Sequence, residues 1–313
     1  MKGGEEMEDR VLAIVNPVSG NGKTGKAWPG FAERFRQAGI AFDTVYTRWP
    51  KHATELARKG LKQGYSRIMA VGGDGTVNEV VNGFFEDEHL LVSDSRLIVF
   101  SRGTGSDYIK SLGITNRVEE IIRVIKRDRV KFIDLGLITY VTHSRNREER
   151  YFINVADMGI GGETTNLVNR SSKLFGGLLT YLFGALRVLT TYQNKVMKLT
   201  IDGEEILPER LNSVMVANGE FFAGGMRIAP GADLEDGRFN ILKIGDLTKF
   251  EFITNIIKAY RGTHLTHPKV NYVCGRELSI DSEERVLIEV DGETVGYLPA
   301  KFKILEKRLP VCY

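Results

Sequence analysis

The stretch Arg67-Ile68-Met69-Ala70-Val71-Gly72-Gly73-Asp74-Gly75-Thr76-Val77-Asn78 decides the fold. Its first five residues are a short apolar run that stops at a double glycine, the pattern of a buried strand. Apolar residues over 78–85 then recur at helical spacing. A glycine-rich turn between a strand and a helix is a phosphate-binding position. Glycines let backbone N–H groups converge on an anion, and the helix N-terminus adds the positive end of its dipole. A plain tight turn is the competing reading. Asp74 argues against it, because an acid among phosphates calls for a cation or a reacting hydroxyl.

Outward from this stretch the alternation continues. Residues 11–16, 42–47, 67–71 and 96–100 read as strands, and 28–38, 53–62, 78–85 and 118–126 as helices. That is the writing of a parallel sheet with covering helices. Two further strand ends carry small polar residues. Asn16-Pro17-Val18-Ser19-Gly20-Asn21-Gly22-Lys23-Thr24 ends like a Walker A loop but has Pro17 where that motif needs glycine, so a P-loop enzyme fits poorly. Gly103-Thr104-Gly105-Ser106-Asp107 follows the 96–100 strand. Ligands of open α/β sheets bind beyond the carboxyl ends of strands, so three such loops in one unit point to a single site. None of the three is a dinucleotide-binding GxGxxG.

Past residue 133 the texture changes to strand-like runs at 132–139, 151–154, 195–201, 213–217, 238–244, 277–280 and 286–290. Helical spacing recurs only at 173–190 and 249–260, and 143–150 reads as a polar turn. The expectation is therefore an α/β domain over 1–133 and a β-rich, sandwich-like domain over 134–304, with residues from about 305 to 313 able to return to the first domain. A length of 313 residues fits two such units.

Composition excludes several classes. With 42% hydrophobic and 27% charged residues the chain can bury a core. A net charge of +3 without a basic tract does not call for nucleic acid. Cys274 and Cys312 have neither disulfide-framework nor zinc spacing and fit a reducing cytoplasm. The polar N-terminus lacks the pattern of a secretory signal. The apolar stretch 174–186 is short of the ~20 residues a transmembrane helix needs and reads as a buried helix, with flanking cations that allow contact with a bilayer. His264 and His267, with no acid or cysteine cluster nearby, read as a surface loop.

The motifs in order are Asn16-Pro17 with Ser19-Gly20, GGDGTVN at 72–78 extended by Glu79 and Asn82-Gly83, the 103–107 loop, Pro230-Gly231-Ala232 with Asp236-Gly237, and Asp291-Gly292-Glu293. On these the chain resembles the diacylglycerol kinase catalytic family of bacterial soluble lipid kinases, over nearly its whole length. GGDGT alone is shared with NAD kinases and phosphofructokinases, and the later elements separate them. The resemblance implies an NAD kinase/diacylglycerol kinase-like α/β domain, a lipid hydroxyl as acceptor, ATP as donor and Mg2+ as cofactor. It places ATP against Gly72, Gly73, Asp74, Gly75, Thr76, Val77 and Asn78, with Asn16, Ser19, Thr47, Gly103 and Thr104 as further contacts. It makes Glu293 the general base and Asp74 a support for Mg-ATP, with Asp107 and Asp134 in a carboxylate network behind. A structural metal is implied at the Asp233, Asp236 and Arg238 turn. Homodimerisation and peripheral action at the inner membrane face are implied as well. Ser106 replaces a usual asparagine, and Arg102 stands where a small apolar residue is common.

Duller readings stay beside these: Asp291-Gly292 is a favoured hairpin turn, 233–236 a solvated acidic turn and Asp134 a turn cap. The alternatives in function are an NAD kinase-like phosphotransferase and a non-catalytic nucleotide- or lipid-binding protein on the same fold.

Overall fold

A computed structural model describes residues 10–103, 105–170 and 177–313. Thr104, expected at the nucleotide, lies outside the described residues, as do positions 173–176 of the expected 173–190 helix. The chain divides into two units, Met1–Ile133 with Lys307–Tyr313, and Asp134–Glu306.

In the first unit β1 (Val11–Val15), β2 (Phe42–Tyr46), β3 (Arg67–Gly72) and β4 (Arg96–Ser101) form a parallel sheet in the order β2-β1-β3-β4. Every residue of β1 is buried, as are all but the first of β3 and β4, whereas β2 is half-buried at the edge. Continuous burial is what a central parallel strand shows when helices cover both faces. The helices are α1 (Lys23–Gln37), α2 (His52–Lys62), α3 (Asp74–Asn82), α4 (Asp107–Ser111) and α5 (Val118–Arg127). Helix α1 buries Trp28, Ala32 and Phe35 at one-face spacing, and the Phe35 ring lies edge-on to Phe42 of β2 and Phe100 of β4. Residues 307–313 close the far side of the sheet, where Val311 pairs in parallel with Leu97 of β4.

Two helices begin earlier than their spacing predicts. Helix α1 starts at Lys23 rather than 28 and carries Pro29 inside it. Helix α3 starts at Asp74 rather than 78, so Asp74-Gly75-Thr76 is its first turn, with extended Gly73 as its N-cap.

The second unit contains β5 (Val130–Thr142, shared at its start with the first unit), β6 (Arg147–Phe152), β7 (Val155–Gly159), α6 (Ile160–Arg170), α7 (Gly177–Thr191), β8 (Lys195–Ile201), β9 (Glu204–Leu211), β10 (Ser213–Ala217), β11 (Phe239–Ile244), α8 (Lys249–Tyr260), β12 (Val270–Gly275), β13 (Glu277–Asp281), β14 (Leu287–Val290) and β15 (Glu293–Cys312, its end belonging to the first unit). Its backbone ladder runs antiparallel in the order β12-β11-β10-β7-β14-β15. Strand β8 pairs with β9 and β13, β13 pairs with β15, and β5 with β6. One core packs Phe152 against Phe239 and Phe302, with ring centroids 5.5 and 6.0 Å apart, among Met158, Leu199, Val214 and Ile288. A second gathers Met215, Phe222, Met226 and Leu242 under Ala259 of α8. The 143–150 turn expectation is half right: residues 147–150 belong to β6, and the turn is confined to the positions before them.

Candidate functional site

In the first unit the three glycine-bearing strand ends meet. A Cβ on Gly103 would stand 2.5 Å from the Cα of Gly73, and one on Gly73 would stand 3.4 Å from Ser19 Oγ, so bare backbone is required for this approach. Asn16 Nδ2 donates to Thr76 Oγ1 at 2.9 Å, and Thr24 Oγ1 donates to the carbonyl of Arg102 at 3.2 Å, which ties the first loop to the other two. Asp74 sits at the N-terminus of α3, and its carboxylate accepts the backbone N–H groups of Asp107 at 3.0 Å and Tyr108 at 3.4 Å. The sequence reasoning allowed Asp74 only a cation or a hydroxyl, and this is a third employment: it holds the first turn of α4 against the loop. Thr76, Val77 and Asn78 are buried within α3, and Thr47 follows β2, its N–H donating to Val15 O at 2.9 Å. Asp107 is buried and paired with Lys110 at 2.8 Å.

The departures at 102 and 106 have local explanations. Ser106 adopts a left-handed conformation with φ 51, and its hydroxyl accepts from Ser101 Oγ and donates to Gly103 O, so the side chain closes the loop on itself. The Arg102 guanidinium lies 4.6 Å over the Phe31 ring, and burial lowers its pKa. Glu79, quoted only as part of the motif, accepts from the N–H groups of Lys51 and Ala53 and so caps α2.

In the second unit Asp291-Gly292 is the two-residue turn joining β14 to β15, with φ of 47 and 88. Both central residues are left-handed, as a twist-matched type I′ hairpin requires. The Asp291 carboxylate accepts the N–H groups of Ile153, Asn154 and Val155 at 2.8, 3.0 and 3.1 Å. Glu293 is thereby fixed as the first residue of β15, and it pairs with Arg150 of β6 at 2.8 Å. Burial opposes the Arg150 charge, but Glu293 and Asp291 prevail and raise its pKa. The turn reading and the functional reading of Glu293 are thus compatible. Sequence reasoning missed Arg150, which it had placed in a polar turn.

Asp134 is fully buried and accepts the Gly237 N–H at 2.6 Å, while its backbone N–H donates to Leu234 O at 2.7 Å. It therefore anchors the 233–238 turn from beneath. On that turn Asp233 accepts from Glu235 N–H at 3.0 Å and Asp236 from Arg238 N–H at 2.9 Å. Among the described residues no three His, Cys, Asp or Glu side chains are grouped to hold a metal. The Asp74 carboxylate, whose two oxygens also accept backbone N–H groups, is the kind of hard oxygen ligand that suits Mg2+ beside phosphate oxygens and water.

The second unit also contains a small apolar cavity of about 70 Å3 between β7, β10, α6, α7 and α8. Met215, Phe222, Met226, Ile228, Phe252 and Ile256 line it. Polar groups interrupt this lining, Asp157, Ser213 and His264 among them. Asp157 Oδ1 accepts from Ser213 Oγ, Oδ2 has no protein partner, and burial pushes the carboxyl up to about 7. His264 is buried, not on a surface loop as expected. Burial lowers its pKa, so it is neutral, with Nε2 donating to Ile228 O at 3.0 Å and Nδ1 left as an unpartnered acceptor. Neither residue has a motif around it, which is why spacing could not find them.

Comparison with known proteins gives consistent matches. The diacylglycerol kinase catalytic domain matches residues 10–138, and the YegS C-terminal NAD kinase beta sandwich-like domain matches residues 154–313. A diacylglycerol kinase of Staphylococcus aureus is 30% identical over 308 residues, 97% of this chain and 92% of the relative. The crystal structure of a diacylglycerol kinase from Bacillus anthracis superposes with a TM-score of 0.70 at 21% identity, covering 97% of each chain. An NAD kinase from Archaeoglobus fulgidus in complex with ATP shares the fold at a TM-score of 0.53 and 13% identity, covering 97% of this chain and 93% of the other.

Proposed function

This chain belongs to the diacylglycerol kinase family, and from that premise we propose that it transfers the γ-phosphate of ATP to the hydroxyl of a diacylglycerol-like lipid. Kinase activity on a lipid is the property of the family, while donor, acceptor and residue roles are our reading. The observation that carries it is the convergence of Gly73, Gly103 and Ser19 at the N-terminus of α3, a nest of backbone donors with one acid at its mouth.

Phosphoryl transfer asks little covalent chemistry of the protein and much positioning. Gly72, Gly73, Gly75 and Gly103 present backbone to the triphosphate, with Asn16, Ser19, Thr47, Thr76, Val77 and Asn78 as further contacts that hold the loops in register. Bound Mg2+ would neutralise charge developing on the β- and γ-phosphates, and Asp74 would hold it. Glu293 takes the proton of the attacking hydroxyl, and Arg150 steadies its carboxylate beforehand. Asp107 and Asp134 shape the backbone of their own loops, and the 233–238 turn would hold a structural cation through Asp236 and the carbonyls of Asp233 and Arg238. The cavity's apolar walls offer a dinucleotide no partners for its charges, and this favours a lipid over NAD as acceptor. Such a substrate places the enzyme's work at a membrane surface on the cytoplasmic side.

The test is a screen of bacterial lipid extract with γ-labelled ATP, set beside NAD as acceptor. Label in a phosphorylated lipid is the expected result, and label in NADP alone would overturn the reading.

A further inference from the structure

Helix α8 is apolar on two opposite faces. Phe252, Asn255, Ile256 and Ala259 line the cavity, while Phe250, Ile253 and Ile257 on the outer side are 76%, 46% and 59% exposed. Positions 250, 253, 254, 257, 258 and 261 form one continuous exposed stripe at helical spacing. A helix whose exposed side is the more aromatic and aliphatic needs a partner for it, unlike a lone exposed Leu207 on β9. The helix α7, which is in contact with α8, exposes Phe183 as well.

The charges identify the partner. Lys249, Lys258 and Arg261 are exposed along the stripe, and the one acid of the helix, Glu251, is turned to Lys269 at 2.8 Å and to the Thr248 cap. A second copy seated on this face would set the three cations against their own counterparts with no acid to receive them. An anionic lipid surface answers both features: headgroup phosphates meet the cations and the acyl boundary receives the rings. We propose that α8 is the element that docks the protein on an anionic bilayer, its outer face lying in the interface while its inner face walls the cavity. Docking itself does not rest on the lipid-kinase reading.

The experiment is sedimentation with vesicles of equimolar phosphatidylglycerol and phosphatidylcholine, and with phosphatidylcholine alone, without ATP or diacylglycerol. The wild-type protein is expected to bind the anionic vesicles. The double variant Phe250→Glu/Ile257→Glu should bind them at least about tenfold more weakly, and Lys258→Glu/Arg261→Glu should lose the preference for the anionic composition. Unchanged binding by the first variant, or no binding by the wild type, overturns the proposal. So does a concentration-dependent dimer in analytical ultracentrifugation that Phe250→Glu/Ile257→Glu dissolves, since a second copy then owns the face. A separate arm measures phosphate transfer to a short-chain diacylglycerol dispersed as monomers. Equal rates for wild type and variants show intact chemistry, and absence of transfer in all of them overturns the kinase reading while leaving the vesicle result to stand by itself.

Discussion

Glu293 is held by a hairpin on one side and a cation on the other, so its replacement separates the proposed proton transfer from folding. Glu293→Gln keeps the size of the side chain and a hydrogen-bond acceptor for Arg150. Turnover should fall by about 10²–10⁴ with ATP affinity nearly intact, read by steady-state kinetics beside calorimetric ATP titration. Gly103 makes the opposite kind of prediction. A methyl group there would press on the Gly73 backbone, which cannot swing aside like a side chain, so Gly103→Ala should weaken ATP binding by about tenfold or more through loss of loop geometry. Asp291 serves three buried backbone donors at once. Asp291→Ala strands them, and at about 1–3 kcal/mol for each unsatisfied group the melting temperature should drop markedly. These residues were legible because each stands in a short motif. Asp157, His264 and Arg150 were not, since a single polar residue in an apolar or charged run acquires its meaning only from what the fold sets beside it.

Among elements, the sheet strands were the most readable. Residues 195–201 alternate, 213–217 are a short, mainly apolar run and 249–260 carries helical spacing, and each occurs where its pattern puts it. The start of α3 was obscured because glycines near a helix N-terminus look like a loop, although its first N–H groups need no internal partner there. Strand β7 was hidden because every one of its residues is buried and no alternation shows, and helix α6 because its sequence, with two glycines and two threonines early on, carries too few apolar residues to show a period. The pairing of β7 with β14 places Asp157 opposite Glu289, two buried carboxyls whose ordinary ionisation burial opposes. Asp157 is near 3.8 when unfolded and about 7 when folded, so the native state holds the extra proton. Its contribution is complete below about pH 4 and is lost as pH rises through 7, roughly 4 kcal/mol in all. Stability measured by urea unfolding should therefore decline across that window, and Asp157→Asn should flatten the decline.

For the whole molecule the telling feature is the return of 307–313 to the first unit, where Leu309, Val311 and Cys312 are buried. Deleting those residues uncovers the edge of β4 and removes about 1.5–3 kcal/mol for each large side chain lost. Chemical denaturation should show the first unit's transition moving to lower urea while the second unit's stays, and ATP titration should weaken in step. The same feature orders events during synthesis. The sheet of the first unit begins with residues 11–15, yet it lacks its last strand until residues 307–313 have been synthesised. A nascent chain therefore carries this sheet with one open edge until the whole of 134–306 has been made.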